Sequence, residues 1–293
     1  MERNKNRVPA LVSLVCAPII WGISFVFVKD VTNVIGTNLL LTIRFLSAAL
    51  LLSAVYHKKL KLINAGYIFN GAIIGALLYT AYAFQTYGIK YTTPGKNAFI
   101  TGTYVVFVPF IYWIVSRKRP TPFNLLAAAL SIIGIGAVSL DSGFGSVNLG
   151  DVLTLVCGIF FAIHIVFVNR FTMEKDPFVL TIMQFLSAGI FSGIACIFTG
   201  EGFYAVPGTA DILTIIYLAV MCTAVAMLMQ TYGQKYTPPA LASVILCMES
   251  AFGFLFSVIM GREALSAKLV LGFILVFAAT LICEAKPGKK EQK

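Results

Sequence analysis

Ten apolar stretches, each about twenty residues long and almost free of charge, recur along this chain with only short connectors between them. At 1.5 Å of rise per residue, a helix of that length crosses a hydrocarbon layer of about 30 Å. In such a layer every backbone polar group must find its partner within the segment, so each stretch is expected to be a helix. The expected spans are 8–28, 37–56, 67–88, 95–115, 122–140, 151–168, 178–199, 211–231, 239–260 and 267–284. Composition agrees. Hydrophobic residues make up 59% of the 293 positions and charged residues 12%, against roughly 45–50% and about 25% in soluble domains. The chain therefore reads as an all-α polytopic membrane protein with ten transmembrane helices. The apolar run that follows Met1 to Arg7 is too long for a signal peptide and lacks a small-x-small cleavage site, so it reads as the first helix.

The net charge of +10 could suggest a nucleic-acid partner, but its placement excludes that reading. Basic residues are not gathered on one face; they sit at alternate ends of the apolar runs, the pattern that sets membrane orientation. With the N-terminus in the cytoplasm, sixteen Lys and Arg fall inside, including Lys58, Lys59, Lys61, Arg117, Lys118 and Arg119, and five fall outside. Both termini are then expected in the cytoplasm of a cell (inner or plasma) membrane protein. Arg262 is an outside cation, offset by Glu263 beside it. The six cysteines lie in or at the ends of apolar segments, without a CxxC pair or metal-ligand spacing, so they read as small packing residues; no metal and no cofactor is expected.

The two halves of the chain resemble each other. Ile19–Val28 aligns with Ile159–Val168, and Phe45-Leu46-Ser47-Ala48 with Phe185-Leu186-Ser187-Ala188, both at a shift of 140 positions. Gln85-Thr86-Tyr87-Gly88-Ile89-Lys90-Tyr91-Thr92 aligns with Gln230-Thr231-Tyr232-Gly233-Gln234-Lys235-Tyr236-Thr237 at a shift of 145, the extra residues falling in the connector near Gly200 to Asp211. Apolar segments resemble one another by chance; a polar string recurring at the same place does not. Two five-helix repeats, 1–140 and 141–293, are expected to form one integrated membrane domain. Five is odd, so the second repeat enters the membrane from the opposite side. Inverted repeats of this kind place a substrate site near the midplane, between halves that rock alternately.

The chain resembles the drug/metabolite transporter superfamily, and within it the EamA-type family, along nearly its whole length. The resemblance rests on Trp21-Gly22-x-Ser24-Phe25, Arg44-Phe45, Tyr104-Val105-Val106-Phe107-Val108-Pro109, Met248-Glu249-Ser250 and Gly261-Arg262-Glu263. It implies ten spans in two inverted repeats and export or exchange of small metabolites across a bacterial inner membrane. It also implies a central cavity lined mainly by the first, third and fourth helices of each repeat. The acidic residue usual after the fourth span is replaced here by Arg117-Lys118-Arg119, which leaves Glu263 without a repeat mate.

Polar groups within a span are costly and so are the first candidates for function. Glu249 falls near mid-depth as a proton carrier or a counter-charge to a cationic substrate group; its repeat mate is Tyr104. Arg44, also within a span, is expected to pair structurally with Glu249 or with helix-end carbonyls. His164 takes the position of Ser24 in the second repeat and is a second candidate for proton coupling. Asn97, Thr101 and Tyr104 share one helical face, as do Tyr79, Tyr82 and Gln85, with Trp21 and Ser24 on the first helix. In the second repeat Gln230 matches Gln85, while Ala224 and Met227 take the places of Tyr79 and Tyr82. An aromatic wall with scattered amides and hydroxyls suits a partly apolar organic solute. Gly71-x-x-x-Gly75 and Gly189-x-x-x-Gly193 allow close helix packing, and the Lys-Tyr-Thr strings at 90–92 and 235–237 suit anchoring at the membrane interface.

A membrane-embedded enzyme is the first alternative, but HExxH, GxSxG and phosphate-loop motifs are all missing. A non-transporting interaction protein is the second, and the connectors are too short to hold a soluble module. The expected function is that of a secondary transporter, an exporter or exchanger of small metabolites such as amino acids. Its partners are a small-molecule substrate and the lipid bilayer, and it works as a monomer or weak homodimer.

Overall fold

The computed structural model of the chain describes residues 6–139, 148–261 and eight positions between 267 and 282. Among these residues the fold is helical, apart from an isolated antiparallel bridge between Ile35 and Phe203. The first half holds α1 (Arg7–Val31), α2 (Thr37–Val55), α3 (Ala65–Tyr91), α4 (Pro94–Ser116) and α5 (Pro122–Ser139). The second holds α6 (Leu149–Thr172), α7 (Pro177–Thr199), α8 (Thr209–Tyr236) and α9 (Pro239–Ile259). Eight of these, all but α5, are long and apolar enough to cross a membrane. The expected tenth span at 267–284 lies largely outside the described residues, and those of it that are described are helical. Arg262, Glu263 and most of the connector from Ser142 to Gly150 also lie outside them.

Local chemistry explains where the helices begin and end. The Asn64 side chain caps the first amides of α3, and Thr93 with Pro94 opens α4. Asn148 and Asp151 form a reciprocal capping box at the start of α6, and Asp176 with Pro177 starts α7. Each cap satisfies amides that a helix leaves orphaned. Gly200, at φ 64°, ends α7 in a left-handed conformation open to glycine at little cost.

Contacts among connectors sort them into two sets, one at each end of the bundle. At the end rich in Lys and Arg, Lys59 pairs with Asp176 at 2.8 Å and the Asp176 amide donates to Tyr67 Oη. There too, Arg170 reaches the Val115 carbonyl. At the opposite end the Gly36 amide donates to the Gly202 carbonyl, and Lys96 pairs with Asp151 at 2.6 Å. Consecutive helices run between these ends in alternation. As a result α1 leaves the basic end, and its repeat counterpart α6 leaves the opposite one.

The main packing joins one half to the other. Helix α3 lies on α6 and α7, α1 on α8 and α9, α2 on α7, and α4 on α9. Small residues permit these approaches. A side chain at Gly71 would run into Met183, and one at Gly75 into the Gln184 carbonyl at 2.6 Å. Gly189 is pressed against Leu46, whereas Gly193 has room.

Candidate functional site

A cavity opens where the two halves meet. Trp21, Ser24, Phe25 and Val28 of α1 form one wall, with Tyr82, Gln85 and Ile89 of α3 and Asn97 and Tyr104 of α4 beside them. The second half contributes Phe161 and Ile165 of α6, Met227 and Gln230 of α8, and Leu246 and Glu249 of α9. Arg44 enters from α2. The cavity is therefore lined by the first, third and fourth helices of each half, with one cation from a second helix.

Repeat mates meet one another along this interface. Phe45 and Phe185 stack with ring centres 6.2 Å apart. The Tyr82 hydroxyl approaches Met227 Sδ at 3.8 Å. The Tyr104 hydroxyl addresses the Glu249 carboxylate. Residues related by an internal twofold can touch only near its axis, so these three pairs mark a line, two of them on the cavity wall and Phe45–Phe185 buried beside it, the Phe45 ring 5.6 Å from that of Tyr82.

Near this line α4 and α9 both depart from regular α-helix. The Thr103 and Val106 amides bond three residues back instead of four, as does the Ser250 amide. Thr103 Oγ1 donates to the Ile100 carbonyl and Cys247 Sγ to that of Val244. Tyr104 and Glu249 stand within these tightened turns, a kind of irregularity that marks hinges in helices.

A π-helical segment, Leu218–Val225, interrupts α8. Wider turns leave a carbonyl without an intrahelical donor, and inside a membrane it must find one elsewhere. Trp21 Nε1 donates to the Cys222 carbonyl at 2.7 Å. Thr223 Oγ1 donates within the segment to Leu218 and accepts from Arg44 Nε at 3.1 Å. The indole N–H of Trp21 is thus committed to the protein, and its ring faces the cavity as an apolar surface.

Arg44 is 2% exposed, and its guanidinium lies 4.9 Å from the centre of the Tyr82 ring. The expected ion pair with Glu249 does not form among the described residues; Thr223 and the ring face hold the cation instead. With Nε committed, the two terminal amino groups make no hydrogen bond among the described residues and remain for the cavity. The π segment is what brings Thr223 within reach, and nothing in the amino-acid pattern announces it.

Of the residues singled out by sequence, Trp21, Ser24, Tyr82, Gln85, Asn97, Tyr104, Gln230 and Glu249 line the cavity. Asn97 Nδ2 donates to Thr154 Oγ1 at 2.7 Å, while its Oδ1 is buried without a partner among the described residues. Three others sit behind the wall. Thr101 accepts from Gln85 Nε2. Tyr79 donates to Asn38 Oδ1 at 2.9 Å in a network with Tyr87 and Glu201. His164 is fully buried against Gln184, at 3.0 Å. The apolar lining residues Phe25, Val28, Ile89, Phe161, Ile165 and Leu246 were not singled out. Helical spacing from Trp21, Gln85 and Glu249 points to four of them, and the repeat carries Trp21 and Phe25 onto Phe161 and Ile165. Among the described residues no cluster of His, Cys, Asp or Glu is suited to a metal ion.

Comparison with known proteins places this geometry. Residues 8–140 and again 148–283 match the EamA-like transporter family. The chain is 32% identical over 94% of its length to a protein of Archaeoglobus fulgidus named an uncharacterized transporter, covering 86% of that protein. It is 27% identical over 97% of its length to the uncharacterized inner membrane transporter YedA of Escherichia coli K12, covering 94% of it. A solved structure, titled only as the crystal structure of a protein, superposes with a TM-score of 0.77 at 16% identity, over 95% of this chain and 97% of its own. That last likeness concerns the fold alone.

Proposed function

Because this chain belongs to the EamA-like transporter family, and is thus a multi-pass membrane transporter, we propose that it works by alternating access as a secondary active exporter or exchanger of small metabolites such as amino acids. Ten spans in two inverted repeats, 1–140 and 141–293, underlie the reading. Both termini face the cytoplasm of the cell membrane. Opposite starting ends for α1 and α6 support the inversion, since a five-helix module repeated in one chain must flip.

The observation that carries the proposal is the contact between Tyr104 and Glu249 on the cavity wall. A group on the axis of an inverted repeat is equally distant from both faces. It is the place where a solute or proton can be handed from one side to the other. The wall is also polar in two senses. Arg44 offers donors, while the Glu249 carboxylate offers an acceptor. Trp21, Tyr82 and Phe161 add apolar surface between them. Such a lining suits a solute carrying an anionic group, an ammonium group and an apolar body. Glu249 serves as counter-charge or proton carrier, and His164, sealed behind the wall, has the lesser claim to that role. The protein acts as a monomer or weak homodimer, needs no cofactor, and leaves its substrate chemically unchanged.

The test is a metabolite screen on proteoliposomes holding the purified protein, with amino acids as the first panel. A solute whose internal concentration changes, chemically intact and only when protein is present, is the expected result. Conversion of any solute to a product would overturn the reading in favour of an enzyme.

A further inference from the structure

The two ends of the bundle are fastened by the same device, built from repeat mates. At the end opposite the basic one, Lys29 Nζ donates to the carbonyls of Ile89, Lys90 and Thr92 at 2.8, 2.9 and 3.1 Å. This ties the last turn of α1 to the elbow between α3 and α4. At the basic end, Asn169 Nδ2 donates to the carbonyls of Gln234 and Thr237 at 2.6 and 3.1 Å. That ties the last turns of α6 to the elbow between α8 and α9. Lys29 and Asn169 correspond at the shift of 140; Ile89 with Gln234, and Thr92 with Thr237, correspond at the shift of 145. The recurring Gln-Thr-Tyr-Gly-x-Lys-Tyr-Thr string thus ends each third helix in carbonyls that have no intrahelical donor, and the mate of the first helix supplies one.

The clasps differ in two ways. One donor is an ammonium group and the other a neutral amide, and charge-assisted hydrogen bonds are roughly twice as strong as neutral ones. Their surroundings differ as well. Val28 and Ile89, immediate neighbours of the Lys29 clasp, line the cavity. Their mates Val168 and Gln234 do not line it. The Lys29 clasp therefore borders the cavity, while the Asn169 clasp is set back from it.

We propose that Lys29 and Asn169 are positioning residues that hold the two elbows against the first helices of their repeats, and that the stronger, charged clasp biases which face of the cavity opens. The inference rests on the alternating-access reading. When a clasp is released, the elbow carrying Asn97, or its counterpart in α9, swings away from the first helix and opens the path at that end.

The test measures modification of Ser24→Cys by a membrane-impermeant maleimide, applied separately to each face of oriented vesicles. The reaction of the protein's own cysteines, measured without that substitution, is subtracted. Lys29→Asn is expected to raise the rate from the face opposite the basic end by roughly fivefold to tenfold, in keeping with the loss of charge assistance, and Lys29→Arg to restore it. Asn169→Ala is expected to raise the rate from the basic face instead. A general loosening of the fold would raise both rates together and overturn the proposal. Labelling from both faces that neither substitution shifts would also overturn it, while leaving alternating access standing. Labelling from one and the same face only, in the protein with both clasps intact and in both clasp variants alike, would bring down both.

Discussion

Glu249 meets the cavity beside Tyr104, with Arg44 contributing the opposite charge from α2 and no ion pair joining the two. Keeping these charges apart has a consequence. An Arg–Glu pair would neutralise both groups and leave nothing for a solute, whereas an arginine resting on Thr223 and the Tyr82 ring keeps its terminal donors free. A charge at mid-depth costs about 3 kcal/mol or more to insert, which is hard to account for by packing alone. If Glu249 carries the proton, Glu249→Gln keeps the shape and hydrogen-bonding capacity but removes the exchangeable charge. Flux in proteoliposomes is then expected to lose its response to an imposed pH gradient while exchange at equal pH persists; an unchanged response would dismiss the proton role. The acid and the arginine were legible as single letters in apolar runs. Their partners were not, because Thr223 and Tyr104 are separated from them by 179 and 145 positions.

Helix irregularities carry the site at the next scale. The Cys222 carbonyl in the π segment of α8 accepts from Trp21, and the same segment seats Arg44 through Thr223. Trp21→Phe retains an aromatic ring yet removes the indole hydrogen bond to that carbonyl in a nonpolar layer. A loss of about 1–3 kcal/mol is expected, measured as a lower midpoint in thermal unfolding of the detergent-solubilised protein. An unchanged midpoint would show that the carbonyl finds another partner. The small-residue pairs in α3 and α7 act differently, by letting backbones approach, and three of their four glycines do so. Span positions were readable from hydropathy because the bilayer imposes a length. Departures from α geometry were not, since they go with side chains of other helices that bond into the irregular segment, as Trp21 and Arg44 do in α8.

At the scale of the molecule, the halves are bound mainly to each other, through α3 on α6, α1 on α8, α2 on α7 and α4 on α9. Neither half has a core of its own to retreat to. Fragments 1–140 and 141–293 produced together are therefore expected to co-purify and support transport, while either alone is expected to fail to accumulate. Recovery of one fragment as a stable, monodisperse species would contradict this. The all-helical character, the eight clearest spans and the duplication were written in the chain. A hydrocarbon layer demands apolar length, and a repeated polar string betrays common architecture whatever its role. The sequence also placed Tyr104 and Glu249 at equivalent positions, though it could not say that they touch. That contact, the π segment that recruits Trp21 and Arg44, and the use of the recurring string as paired acceptors for Lys29 and Asn169 were decided by tertiary structure. Each depends on how one half lies on the other or on which side chain reaches an open carbonyl, and such distances across the fold leave no local pattern in sequence.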